Sequence, residues 1–304
     1  MTTIYFDTPL SDDQRRQSLY DGDLFVYSST RATEEFAEFA RQMISRAFGD
    51  DDPETVQDRM AVDDYVEVLK DLKPKFIHHP ESKRYIQKIL ADLGCDADQV
   101  HFDVPRLRSS TSGGYLTTGI AYAWHPHRDT WYSAPSTQIN IWLPVYDLHS
   151  DNTVMFHPPY FERKVPNDSE RYNYYEWNTK YRAAAAAQVG KETRPLPGPT
   201  ENIELESQIR VVVPVGGLVL FSAAQLHSSV PNTSGKTRFS IDFRTVHAGD
   251  IRAGKGAPTQ DVHCTGSNIR DFMRASDLER VAEDVVRLFH DGTEDRGELV
   301  YEKP

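Results

Sequence analysis

The feature that most constrains this chain is a change of hydrophobic period near Val100. Before it, apolar residues recur at helical spacing. Arg31 to Phe48 puts Phe36, Phe39, Ala40, Met43, Ala47 and Phe48 on one face, with Gly49 where a C-cap belongs. Pro53 opens a second helix reaching about Leu72, Pro74 and Pro80 bracket a loop with His78 and His79, and Glu81 to Leu93 makes a third helix stopped by Gly94. After Val100 the period falls to two. Val100 to Leu107, Tyr115 to Trp124, Thr137 to Val145, Asn152 to His157, Ile209 to Val215, Leu218 to Ser222 and Lys236 to Val246 read as strands, with Leu24 to Tyr27 as an early one. Gly216-Gly217 reads as a hairpin turn, and a capping box at Ser276 and Glu279 opens a closing helix with Leu278, Val281, Ala282, Val285 and Phe289 buried. This order predicts a mainly β fold with flanking helices: a double-stranded β-helix (jelly-roll, cupin-like) core with the N-terminal helices packed on one sheet.

The 304 residues are long enough for one domain of this kind, spanning 1–304. Within it, about 158–208 breaks the strand rhythm: Tyr160, Tyr172, Tyr174, Tyr175, Trp177 and Tyr181 crowd a polar stretch followed by an alanine run. Such an insertion is either a lid over an apolar or ring-like substrate or the ordinary packing of a long loop. A net charge of −12 argues against nucleic acid or an anionic membrane as partner. It leaves an anionic small molecule open, because a local field can oppose the net charge. Two cysteines are too few for a disulfide framework, and the N-terminus lacks the pattern of a signal peptide. No stretch is apolar over a membrane-spanning length, and the C-terminal E-L-V-Y-E-K-P matches no lipidation or peroxisomal signal. These features predict a cytoplasmic protein acting on a small-molecule substrate. Its oligomeric state leaves no trace in the sequence.

Chemistry concentrates in Y-A-W-H-P-H-R-D-T-W-Y-S-A-P-S-T-Q-I-N-I-W-L-P-V, residues 122–145. In extended backbone His127 and Asp129 point the same way, so imidazole and carboxylate can converge on one cation. Two histidines and one carboxylate with open positions are the ligand set of non-heme Fe(II) oxygenases, and His227 offers the second imidazole. His-x-Asp alone is weak: with eleven histidines, His101/Asp103, His149/Asp151 and His79/Glu81 arise in the same chain. His125 shares the direction of His127, but a cupin-like His-x-His site usually has a glutamate soon after, and Thr130 to Gln138 contains none. The following strand favours His127/Asp129, with Ile139, Ile141 and Leu143 on one face and Gln138, Asn140 and Trp142 on the other. One side can pack on helices while the other lines a polar cavity.

In the second half, G-G-L-V-L-F leads to H-S-S-V-P-N-T-S-G-K-T-R-F-S-I-D-F-R, where Arg238, Ser240, Asp242 and Arg244 share a strand face. A buried arginine there needs a carboxylate. Either Asp242 or Asp147 supplies it as a structural ion pair, or a dicarboxylate co-substrate does. Arg244, Arg128 and Lys236 are further cations for an anionic substrate group or for surface pairs.

The pairing of W-H-P-H-R-D…Q-I-N-I-W-L-P with G-G-L-V-L-F…H-S-S-V-P-N-T-S-G-K-T-R-F-S resembles the phytanoyl-CoA hydroxylase-like family of Fe(II)/2-oxoglutarate dioxygenases, over roughly 115–157 and 209–246. The resemblance implies a jelly-roll fold, His127, Asp129 and His227 as iron ligands, and Arg238 as anchor of the far carboxylate of 2-oxoglutarate. It also implies that Ser240 assists Arg238 and that Ser229, Trp142, Asn140 and Gln138 line the co-substrate pocket. O2 is the third reactant, and C–H hydroxylation with release of succinate and CO2 the implied outcome. Related halogenases replace the carboxylate by a small residue, so Asp129 favours hydroxylation, while desaturation, cyclisation and epimerisation need only a different fate of the radical and stay open. N-T-V-M-F-H-P-P-Y-F-E and the long tyrosine-rich insertion depart from the family pattern where substrates bind, so the resemblance carries no substrate, and phytanoyl-CoA is not implied. A cupin-type metal enzyme or binding protein that does not use 2-oxoglutarate is the alternative.

Overall fold

The structure, a computed structural model, describes residues 2–292; the terminal E-L-V-Y-E-K-P lies outside them. Four helices come early: α1 Asp12–Tyr20, α2 Arg31–Phe48, α3 Val62–His78 and α4 Pro80–Asp92. Helix α2 is capped by Thr30, whose hydroxyl accepts from the Thr33 N–H, and ends at Gly49 as its spacing predicts. Among the described residues there are eleven strands: β1 Ile4–Phe6, β2 Leu24–Tyr27, β3 Val100–Phe102, β4 Arg106–Ser110, β5 Ile139–Pro144, β6 Val154–Phe156, β7 Ile209–Val211, β8 Leu218–Ser222, β9 His227–Ser229, β10 Arg238–His247 and β11 Met273–Arg274.

The large sheet runs β1-β2-β8-β5-β10-β3-β11, with β4 also paired to β10; the small sheet runs β7-β6-β9. Apart from the parallel β1–β2 pair, neighbours in both sheets are antiparallel. The large sheet is open, with β1 and β11 at its edges. Period-two alternation decides what each face meets. Ile139, Ile141, Leu143, Phe239, Ile241 and Phe243 pack on helix residues such as Phe36, Ile44, Leu69 and Ile89. From the other face Trp142, Val219 and Phe221 meet Val154, Phe156 and Val211 of the small sheet. The result is the predicted jelly-roll type sandwich with helices on one side.

Several boundaries differ from the sequence reading. Pro74 lies inside α3 rather than in a loop. It removes one helical hydrogen bond, at a cost of about 3 kcal/mol. Leu72 and Phe76 on either side are buried, Phe76 stacked 5.7 Å from Phe36, and their packing carries the helix through. The strand expected over Val100 to Leu107 is split at Asp103–Pro105, so β3 and β4 pair with different halves of β10. Tyr115 to Trp124 is not a strand but loop and a 3-10 turn, Gly119–Ala121. Its polar groups go to neighbours instead: Thr118 Oγ1 donates to Gln188 O and the Gly119 N–H to Glu192 Oε2. Gly119 has φ +60°, and a Cβ there would lie 2.3 Å from Ala185 O.

Gly216-Gly217 is not a hairpin: β7 belongs to the small sheet and β8 to the large one, so the turn crosses between layers. Gly216 (φ +76°) passes close to the start of α2, where a Cβ would be 3.2 Å from Glu34 N. The closing helix is only Glu283–Val286. Asp277 Oδ1 takes the Glu279 N–H that a Ser276 cap needs, and Leu278 turns to φ +64°. Val281 and Val285 are still buried. Among the described residues no helix is long and apolar enough to cross a membrane.

Candidate metal centre

His127 precedes a 3-10 turn, Asp129–Tyr132, and its backbone exchanges two 3.0 Å hydrogen bonds with that of His227, the first residue of β9. This bridge sets the imidazoles side by side, ring centroids 4.3 Å apart. Arg128 between His127 and Asp129 is extended (φ −111°, ψ 141°), so both flanking side chains fall on one side, as the spacing predicts. Asp129 Oδ1 lies 3.5 Å from His127 Nε2 and 3.9 Å from His227 Nε2. One donor atom from each residue fits within 4.8 Å of the others, a group that could hold a metal ion.

The ring orientations follow from the backbone. His127 Nδ1 is 2.8 Å from His125 O, and His227 Nδ1 is 2.9 Å from Gln225 O. A carbonyl only accepts, so each Nδ1 carries the proton and each Nε2 presents a lone pair toward Asp129. Burial, with His127 close by, pushes His227 down to about 4 against the pull of Asp129, which keeps its imidazole neutral at neutral pH. Burial works to raise the Asp129 carboxyl. Its close neighbours His127, His227 and Arg244 outweigh burial and hold the group well below the usual carboxylate range.

Gln138 donates through Nε2 to Asp129 Oδ2 (3.2 Å) and to Asn140 Oδ1 (3.0 Å), while its Oε1 accepts from Asn268. It therefore braces one carboxylate oxygen and leaves Oδ1 toward the histidines, a role the sequence reading, which put Gln138 at the co-substrate, did not include. Arg244 forms an ion pair with Asp103 (2.9 Å) and its Nε is 4.0 Å from Asp129 Oδ2. Asp103 also holds Arg106 at 2.5 Å. His101 Nδ1 meets its own backbone at Gln99 O, so the His101/Asp103 pair is spent on structure. His79 caps α4, and His125 and His149 are exposed.

Arg238 is the notable cation. It is 6% exposed, its Nη1 donates to Asn152 O at 2.9 Å, and the guanidinium lies 5.7 Å over the Trp142 ring. The sequence offered Asp242 or Asp147 as ion-pair partners, but Asp242 is taken by Arg108 (2.6 Å). Burial, with Arg108 adding repulsion and Asp242 opposing, pushes Arg238 down to about 10. Among the described residues, the buried Arg238 Nε, Ser240 Oγ and Asn140 Nδ2 find no hydrogen-bond partner. Buried polar groups left unpaired are costly. This cluster of idle donors on one sheet face fits a carboxylate-bearing ligand.

Arg238, Asn140, Gln138 and the three metal donors line one cavity of about 530 Å³, with Ser240 buried behind its wall, and it has room beyond a small dicarboxylate. Trp142 and Asn140 are on its wall, as is Ser229, whose N–H bonds Trp124 O. Arg128 is not: its guanidinium is buried against Asp261 and the carbonyls of Ala224, Tyr160 and Arg163. Lys236 pairs with Glu54 outside the cavity.

The sequence did not single out Trp124, stacked 4.8 Å from His127, or Arg108, 5.5 Å over Trp124. It also missed Lys73 on α3, which Pro74 had hidden at a supposed helix end. Tyr172, Tyr174 and Trp177 of the insertion line the cavity.

A family model described as phytanoyl-CoA dioxygenase (PhyH) matches residues 21–240. No curated protein matches the sequence. Among solved structures, the apo form of the non-heme monooxygenase ThoJ is 16% identical at a TM-score of 0.38, covering 73% of this chain and 72% of that one. EvdO2 from Micromonospora carbonacea var. aurantiaca complexed with 2-oxoglutarate is 12% identical at TM-score 0.44, covering 84% and 96%. The epimerase SnoN in complex with Fe3+, alpha ketoglutarate and nogalamycin RO is 14% identical at TM-score 0.41, covering 78% and 85%.

Proposed function

We propose, for a chain that belongs to the phytanoyl-CoA dioxygenase (PhyH) family and so works with Fe(II), 2-oxoglutarate and O2, that it hydroxylates an unactivated C–H bond of a small-molecule metabolite in the cytoplasm. His127, Asp129 and His227 hold the iron through two Nε2 lone pairs and one carboxylate oxygen. When bound, iron and 2-oxoglutarate together supply the oxidising power that turns C–H into C–OH as the co-substrate loses CO2 and leaves as succinate.

The protein's part is placement. Gln138 and Arg244 orient the second Asp129 oxygen, so the carboxylate presents one oxygen to the metal. Arg238 takes the far carboxylate of 2-oxoglutarate in a bidentate grip, with Ser240 donating beside it and Trp142 packed against the guanidinium. Asn140 offers its free amide N–H on the same wall, and Ser229 closes the edge at β9. Tyr172, Tyr174 and Trp177 keep water from the reacting carbon.

One observation carries this reading over a metal enzyme that does not use 2-oxoglutarate: a buried guanidinium with no carboxylate partner among the described residues, on the cavity that the His/Asp/His cluster also lines. The expected assay result is succinate release stimulated by one class of small molecule, with an oxygen atom from labelled O2 in the product. Stimulated turnover without succinate contradicts the co-substrate, and turnover without labelled oxygen contradicts hydroxylation.

A further inference from the structure

We propose that the substrate of this site is a monocarboxylic acid with an apolar, ring-bearing body, and that Lys73 on α3 receives its carboxylate. The proposal rests on the oxygenase reading above and adds the substrate class to it.

The first argument is the charge balance of the cavity wall. Arg106 and Arg244 share Asp103, Arg108 has Asp242, Arg182 has Asp271 at 3.7 Å, Arg194 has Glu192, and Lys70 has Glu67. Among the described residues, two lysine or arginine side chains on this wall have no carboxylate within 4.0 Å: Arg238 and Lys73. The 2-oxoglutarate carboxylate accounts for Arg238 and leaves Lys73.

The second argument is the valence of that ammonium. Lys73 Nζ donates to Ile120 O (2.5 Å) and Ser109 Oγ (3.2 Å). An ammonium has three N–H donors, so one remains unspent. Both partners are neutral, so they fix the head group in place without cancelling its charge. Burial, with Arg108 repelling and Asp242 opposing, pushes the group down to about 7. Beside a neutral substrate the amine can shed its proton, whereas a carboxylate favours the charged form and takes the third N–H. One spare cation and one spare N–H match a singly charged carboxylate better than a phosphate dianion.

The third argument is the lining. Lys73 shares its cavity with Tyr122, Trp124, Tyr172 and Trp177 and with the metal donors. An acid held at Lys73 therefore has aromatic side chains for its body in the same cavity, where Trp124 stacks on His127, Tyr132 lies 5.5 Å from His127 and Tyr172 lies 5.2 Å from Tyr132.

The test uses the full chain loaded anaerobically with Fe(II) and 2-oxoglutarate, and measures binding of 2-naphthoate and of its neutral isostere 2-naphthamide by calorimetry. The wild type is expected to prefer the acid by at least about tenfold, roughly 1.4 kcal/mol. Lys73→Gln should lose that preference while keeping the 2-oxoglutarate charge-transfer band, and Lys73→Arg should retain it. Arg238→Gln should weaken 2-oxoglutarate yet leave the acid preference. Equal binding of acid and amide to the wild type, no naphthoate binding, or an undiminished preference in Lys73→Gln overturns the proposal. A missing charge-transfer band in the wild type counts against the oxygenase reading instead, since the acid preference and its dependence on Lys73 are read separately.

Discussion

On the sheet side of the cavity, His127 and His227 face each other through paired backbone hydrogen bonds, and Arg238 and Asn140 stand on strands whose other face is packed on helices. On the insertion side, Trp177 sits in a π turn, Trp177–Tyr181, and Arg194 lies 5.2 Å over its ring while pairing with Glu192 at 2.7 Å. Glu192 in turn accepts from the Gly119 N–H. The donors of the sheet wall are placed by ladders that cannot shift by less than a register step. The insertion wall is placed by side-chain contacts, each replaceable without disturbing a strand. Chemistry common to a family belongs on the first wall and substrate choice on the second.

The largest effect should come from undermining the sheet wall from behind. Phe243 is fully buried on the helix side of β10, and Phe243→Ala should cost about 3–5 kcal/mol of unfolding free energy in a denaturant titration. A loss below 1 kcal/mol would mean that the helices do not brace this strand. Next, Arg238→Gln should weaken 2-oxoglutarate by about 100-fold, or 2–3 kcal/mol, with Fe(II) affinity unchanged; a comparable loss of Fe(II) would place Arg238 at the metal instead.

Gln138→Leu removes the brace on Asp129 Oδ2 and should lower Fe(II) affinity by about tenfold, the usual effect of losing a partner behind a ligand. Smallest is the change on the insertion wall. Glu192→Gln keeps the shape but not the charge facing Arg194, and should cost within about 1 kcal/mol of stability. It should instead speed proteolysis between 183 and 195 while iron binding stays intact. If it weakened iron, the two walls would be one mechanical unit.

How much of this was legible in the sequence differs between the walls in the same way. The alternation of Ile139, Ile141 and Leu143 against Gln138, Asn140 and Trp142 is a local pattern, so both faces of β5 were readable. The His127/Asp129 spacing and the face of Arg238 were readable for the same reason. Gln138 was put on the right wall with a different task, because a hydrogen bond to Asp129 depends on how the chain turns between them. Lys73 was missed because Pro74 signals a helix end, and only the long-range packing of Leu72 and Phe76 overrides it. The Tyr115 to Trp124 segment was misread as a strand since its partners, Gln188 and Glu192, come from the distant insertion. That Asp242 does not pair with Arg238 turned on Arg108, far away in sequence and adjacent only through the β4–β10 ladder.

The most direct test is an anaerobic titration of the wild type, His227→Ala and Arg238→Gln with Fe(II) followed by 2-oxoglutarate, read as visible absorbance. The account predicts a metal-to-ligand charge-transfer band that saturates at one equivalent of each in the wild type, is abolished in His227→Ala, and needs far more 2-oxoglutarate in Arg238→Gln. A band of normal intensity and affinity in both variants would contradict it.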